Sequence, residues 1–342
     1  MQKYRPPMLP GVIVRVRPWN EIVQTLDEGG MLEGLPFMPE MLAYCGKDFV
    51  VSRRLERTCE EIEGGMRRIQ NVVFLADLRC DGTGHGDCQK GCMLFWKEAW
   101  LRELGPGEGK TPKGNDRVPV PYEAPCGFHD GQYICQSTEL LQATSRLPLW
   151  DIRTYFRDVR ARTYSVWKLT RILSFALRLR LRRLLTGRSY RVVSGTLNTT
   201  PTEALNLRPG EWVVVKSKQE ITATLDRNGK NQGLAFTIEM VQFCGKPFRV
   251  LRRLERMVLE PTRALIDMKN TVILEGVTCD GCHILRGGCP RENFHFWREI
   301  WLRRLPVSGA HGNGNARLAV KDLSRTRLRI QKAGALRSNK TS

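Results

Sequence analysis

Phe49-Val50-Val51-Ser52-Arg53-Arg54-Leu55-Glu56-Arg57 returns later in the same chain as Phe248-Arg249-Val250-Leu251-Arg252-Arg253-Leu254-Glu255-Arg256. Side chains alternate along a strand, so Phe49, Val51, Arg53, Leu55 and Arg57 share one face, while Arg54 and Glu56 sit together on the other. Working outward, Gly11 to Gly82 aligns with Gly210 to Gly281 without a gap, and about four positions in ten are identical. After a short insertion the alignment resumes at Phe95-Trp96-Lys97-Glu98-Ala99-Trp100-Leu101 and Phe296-Trp297-Arg298-Glu299-Ile300-Trp301-Leu302. Self-similarity at a fixed spacing marks a duplicated module. What both copies keep is what the module needs.

The pattern around these segments is one of short strands. Trp212-Val213-Val214-Val215 follows the Pro209-Gly210 turn. Val72-Val73-Phe74-Leu75 and Thr271-Val272-Ile273-Leu274 each follow an Asn at a turn position. Glu21–Asp27 and Glu220–Asp226 read as a short helix or turn leading into a strand, broken at Gly29-Gly30 and Asn228-Gly229. Strands of this length and spacing predict a small, strongly bent barrel of SH3-like type. The paired tryptophans, Trp96 with Trp100 and Trp297 with Trp301, are four apart, which predicts a helix that carries both on one face. They read as lids on the core rather than as a stacking platform. The expected fold class is α+β: two duplicated SH3-like β-barrel modules, each with a Cys-rich turn and a C-terminal helix, joined by a basic helical connector. Copy one spans 11–104 and copy two 210–305. Between them lie a loop-rich linker (105–146) and the connector (147–209), and a basic tail, expected to be disordered, occupies 306–342.

The chain carries a net charge of +20, unevenly placed. The connector holds about +10 and the tail about +7, whereas copy one is slightly acidic and copy two mildly basic. An anionic partner therefore meets the connector and tail first. The arginines kept in both copies, Arg53, Arg54, Arg57, Arg252, Arg253 and Arg256, read either as a basic recognition strip or as surface ion pairs at a strand end.

Eleven cysteines in a chain with no signal-like N-terminus point to metal ligands or reduced core thiols and to a cytoplasmic protein. Both copies place a Cys before Gly-Lys (Cys45, Cys244), before Asp-Gly (Cys80, Cys279), and eight residues ahead of the first Trp (Cys88, Cys289). Copy one adds Cys92, and copy two instead adds Cys282, forming Cys-x-x-Cys with Cys279. Four soft donors per copy fit a closed, structural zinc site, with His85, His283 and His295 as substitute donors. Cys45 and Cys244 equally fit a strand end packed in the core. Cys59 faces Val258 in the alignment and reads as packing. Cys126, Cys135, His129 and Asp130 form a weaker candidate cluster in the linker.

In the connector, Asp151 is placed to cap a helix through Tyr155 and Val159, and a longer helix is predicted across 165–185. Val166, Leu169, Leu173, Ala176, Leu177 and Leu184 gather on one side of it, with Arg171, Arg178, Arg182 and Lys168 opposite. Such a helix packs on the modules, lies on an anionic membrane surface, or docks on phosphate backbones.

At Gly34-Leu35-Pro36-Phe37-Met38-Pro39-Glu40-Met41, Tyr44-Cys45-Gly46, Cys80-Asp81-Gly82 and Phe95-Trp96-Lys97-Glu98-Ala99-Trp100, the chain resembles a widespread family of uncharacterised bacterial proteins. The resemblance extends over both modules and Cys135-Gln136-Ser137-Thr138-Glu139-Leu140. It implies a bacterial source and brings no activity with it.

The chain has no Gly-rich phosphate loop, Ser-centred elbow or His-Glu metal motif. The leading expectation is a non-enzymatic binding protein with structural zinc, contacting an anionic polymer (nucleic acid or polysaccharide) or a protein partner. The alternative is a scaffold or accessory component of a bacterial biosynthetic pathway, peripheral at the inner membrane face. A metal-dependent enzyme would draw on Glu98, Glu299 and the Arg54–Glu56 pair.

Overall fold

Val14 and Val16 alternate with Ile13 and Arg15, and only the valines are fully buried, so Ile13–Val16 (β1) is a strand with one face in a core. The structure is a computed structural model that describes residues 7–61, 65–105, 127–148, 151, 153–186, 192–279 and 288–305. After β1 come Asp48–Cys59 (β2), Met66–Leu75 (β3), Trp96–Lys97 (β4), Leu101–Glu103 (β5) and Ser145–Arg146 (β6). The connector supplies Arg153–Arg160 (α1) and Val166–Thr186 (α2). Copy two then gives Trp212–Val215 (β7), Pro247–Arg253 (β8), Arg256–Val258 (β9), Leu265–Asp267 (β10), Thr271–Thr278 (β11), Phe294–Arg298 (β12) and Leu302–Arg304 (β13).

The architecture is mixed α+β and mainly β, with curled antiparallel sheets. Sheet one runs β6-β3-β2-β1-β5, with β4 also paired to β3; sheet two runs β12-β11-β8-β7-β13. Leaving β6 aside, the two halves share one strand order. Equivalent residues also make equivalent contacts. Trp100 Nε1 donates to Thr25 Oγ1 at 3.1 Å, as Trp301 Nε1 does to Thr224 Oγ1 at 3.1 Å. Phe37 packs edge-on to Trp100 at 5.2 Å, and Phe236 to Trp301 at 5.4 Å.

The helix predicted over Phe95–Leu101 and Phe296–Leu302 is not formed. Each segment is a strand, a single 3-10 turn (Glu98–Trp100, Glu299–Trp301) and a second strand. A one-turn reversal between strands brings residues four apart onto the same core, so it mimics helical spacing. All four tryptophans are fully buried. The linker also departs from a plain loop. Residues 136–143 form consecutive turns, and Gln136 enters the core, where its side chain bonds Phe95 N and O and Pro36 O. The loop expected at 106–125 and the tail from 306 lie outside the described residues.

The two copies exchange their Cys-rich turns, and residues related by the duplication meet in reciprocal pairs. The turn of copy one lies on β9, where Gln89 N donates to Arg256 O at 3.1 Å and Val258 N lies 3.3 Å from Cys88 Sγ. Residues 288–292 of copy two lie on β2, and there Cys289, the equivalent of Cys88, is disulfide-bonded to Cys59, the equivalent of Val258. Lys90 and Arg291, also equivalent, both grip the buried Glu260: Lys90 Nζ at 3.3 Å and Arg291 Nη1 at 3.1 Å. Lys90 also reaches Glu61, the equivalent of Glu260, at 3.3 Å. Burial alone would raise the Glu260 carboxyl, but Arg291 and Lys90 pull it down to about 2. Cys88, Leu254, Met257, Val258 and Ile273 form a separate apolar cluster at this junction.

Candidate metal centre

Glu40 stands on the 3-10 turn Pro39–Tyr44, Cys80 follows β3, and His85 lies in the turn beyond it. Their donor atoms converge. Cys80 Sγ is 3.3 Å from Glu40 Oε1 and 3.6 Å from His85 Nε2, and one ligand atom from each residue lies within 4.8 Å of the others. Donors around a tetrahedral zinc, with bonds of about 2.0–2.3 Å, stand roughly 3.3–3.8 Å apart. The cysteine's spacing to both partners matches. Two further atoms argue for a cation: Glu40 Oε2 and His85 Nδ1 are buried with no hydrogen-bond partner. Such groups each cost about 1–3 kcal/mol when left unsatisfied.

Electrostatics point the same way. Burial raises the Glu40 carboxyl and the Cys80 thiol and lowers the His85 imidazole to about 4. Desolvation thus works against the charged form of all three groups, and a divalent cation supplies the charge that would favour carboxylate and thiolate. A cavity of about 20 Å³ adjoins the triad, lined also by Cys88, Cys92 and Cys135. That is room for about one water-sized sphere. Burial pushes Cys88 up and Cys135 up to about 12. The centre reaches the module junction through Ser137, whose hydroxyl donates to Cys92 Sγ at 3.5 Å and accepts from Arg291 Nη2 at 2.9 Å.

Of the predicted copy-one ligands, Cys80, Cys88 and Cys92 line this one cavity. Cys45 does not. It packs half-buried against the copy-one core, and burial raises its thiol to about 11. Cys244 packs in the same way in copy two. In copy two, Cys279 N donates to Asn293 O at 2.8 Å, as Cys80 N does to Cys92 O at 2.8 Å, so the two cysteines hold the same backbone position. His295 Nε2 stands 3.6 Å from Glu239 Oε1, and Glu239 is the equivalent of Glu40. Cys289 is corrected from ligand to disulfide partner of Cys59, with Cα atoms 5.6 Å apart, and Cys59 is corrected from simple packing. Cys282, His283 and Cys126 lie outside the described residues.

From the sequence, Glu40 is not read as a donor, and Cys135 falls in a separate linker cluster rather than in this cavity. The signal for Glu40 was its retention as Glu239 in both copies; Cys135 has no counterpart there, and only the path of the linker brings it in.

The proposed strip of strand arginines is not a free surface. Arg53 pairs with Glu292 at 2.5 Å and Pro290 O at 2.8 Å, Arg54 with Glu56 and Glu98, and Arg253 with Glu299 at 2.9 Å. Arg57 is buried, 2.7 Å from Asp158 on α1, with Tyr155 against its guanidinium. Arg252 packs on Gly91, where an added Cβ would fall 2.0 Å from its Nη2. These arginines recur because each copy uses them to hold the other's turn or its own incoming chain. Arg256 is exposed on β9, as are Arg171, Arg178 and Arg182 on α2. Glu98 and Glu299 are likewise structural. Glu98 accepts from Met8 N at 2.9 Å, and Glu299 from Leu205, Asn206 and Leu207 N at 2.6, 2.9 and 3.0 Å.

No protein-family model, curated protein or solved structure matches this chain.

Proposed function

We propose that the chain is a non-enzymatic binding protein of two SH3-like modules, held together in part by a structural zinc. Its contact with an anionic partner runs through the basic connector. The observation that carries the metal half is the convergence of Glu40, Cys80 and His85, together with a buried atom on Glu40 (Oε2) and on His85 (Nδ1) that has no hydrogen-bond partner. Cys88, Cys92 and Cys135 stand by to give the fourth donor and close the site, and the cavity's small volume favours a closed structural ion over a substrate-accessible one. By fixing the Cys80–Cys92 turn, the ion fixes the surface on which copy two rests. Elemental analysis of the full chain tests it. Stoichiometric zinc in the native protein that is lost in Cys80→Ser is expected, whereas metal-free protein with unchanged melting in chelator refutes it.

A further inference from the structure

The N-terminal half of α2 packs as an amphipathic helix should: Leu169, Ile172 and Ala176 are buried, and Leu169 and Ile172 sit with Tyr164. The predicted apolar face does not continue inward. Leu177, Leu181, Leu184 and Leu185 are 57, 49, 75 and 84% exposed. At 100° per residue these four leucines span about 100° of the helix surface, away from the packed side, and Arg178, Arg171 and Arg182 fall within about 60° of their edge. Phe156 on α1 and Trp167 at the start of α2 are also largely exposed. The sequence from Val159 to Thr202 contains no acidic residue.

We propose that α2 docks on an anionic lipid bilayer, lying in the interface with its exposed leucines among the acyl boundary and its arginines on lipid phosphates. This rests on the basic-connector half of the function above and is independent of the metal. Three observations select lipid over other occupants. A second copy of α2 would bring the same arginines face to face with no acid in the helix to pair them. A nucleic acid would neutralise the arginines but leave the leucines in water. An anionic bilayer takes both, since apolar burial and electrostatic attraction add at its surface. Among the described residues no helix is long and apolar enough to cross a membrane, so α2 lies on the surface.

The test is flotation of the full chain with vesicles of phosphatidylcholine alone or with phosphatidylglycerol. Binding to the phosphatidylglycerol vesicles only, weakened by salt, is expected. Leu181→Ser/Leu184→Ser should weaken it roughly a hundred-fold, and Arg171→Gln/Arg178→Gln roughly twenty-fold. These side chains are exposed on α2, so the variants are expected to keep the parent's melting temperature, which checks the fold. Equal binding to neutral vesicles, or none to anionic ones, overturns the proposal. If the protein ignores vesicles but binds duplex DNA with an affinity the leucine variant does not change, the lipid is wrong and the anionic-partner reading survives. If it binds neither, both fail. Concentration-dependent dimerisation abolished by the leucine variant, without vesicle binding, assigns the stripe to self-association and also overturns it.

Discussion

Replacing Glu260 by Gln removes one negative charge from the junction between the copies and leaves the shape intact. Its carboxylate is 1% exposed and faces Arg291, Lys90 and Glu61 N, with the Glu61 carboxylate on the far side of Lys90. Losing it leaves the buried Arg291 with only neutral acceptors, Cys59 O and Ser137 Oγ, and Lys90 with Glu61, and breaking such a buried pair costs about 3–5 kcal/mol. Linkage gives an independent figure. A carboxyl drawn from 4.5 to about 2 in the fold contributes about 3 kcal/mol at pH 7. Because the folded value is depressed, this contribution is full above about pH 5 and fades as pH falls through 4.5 towards 2. Urea unfolding of wild type and Glu260→Gln should therefore differ by about 3 kcal/mol at pH 7 and by only about 1 kcal/mol at pH 3. Taking the difference between the two proteins cancels every other titrating group they share, including Asp158, which burial raises to about 6 despite Arg57. A gap below about 1 kcal/mol at pH 7, or one that does not narrow in acid, would refute the ionic junction.

Trp301→Ala should lower stability by about 3–5 kcal/mol, and Trp100→Ala by a similar amount, since each fills the centre of its own core; chemical denaturation checks both. Glu299→Ala should cost about 3 kcal/mol or more, because three backbone donors and Arg253 lose a buried acceptor at once; faster hydrogen exchange at residues 205–207 would locate the damage. Peptide mapping of unreduced protein should recover Cys59 joined to Cys289, a link closing a loop of 230 residues worth up to about 5 kcal/mol by chain entropy. Recovery of both as free thiols under oxidising handling would contradict the junction geometry.

The duplication made much of the sheet legible. β1, β2, β3 and their counterparts follow from β-branched runs that recur at equal spacing, and α2 follows from apolar periodicity with Ser165 and Thr186 at its ends. Asp151 stands at the start of α1, where its Oδ1 accepts from Arg153 N at 3.1 Å. The tryptophan segments were misread because a 3-10 reversal and a helix both bring positions four apart together. Of the two readings of the strand arginines, the ion-paired one describes Arg53, Arg54 and Arg253, because repetition marks necessity without saying whether the need is internal; here Arg53 and Arg252 serve contacts between the copies. The site was legible in part. Cys80 and the substitute donor His85 are named from the sequence and belong to the triad, and Cys88 and Cys92 line the adjoining cavity, whereas Glu40 and Cys135 come from a turn and a linker whose approach only the tertiary path decides. Comparing Cys59 with Val258 correctly showed an asymmetry between the copies. It hid the partner, because the partner of each position lies in the other copy.

The central claim is that Cys80, with Glu40 and His85, binds a metal where the two copies meet. Cobalt(II) titration of the reduced, chelator-treated chain addresses it directly, since a cobalt–thiolate bond gives a charge-transfer band in the near ultraviolet. The account predicts that this band grows to saturation with stoichiometric metal, is lost in Cys80→Ser, and weakens in Glu40→Gln and His85→Ala. A titration with no thiolate band, or a band of full intensity in Cys80→Ser, would contradict it.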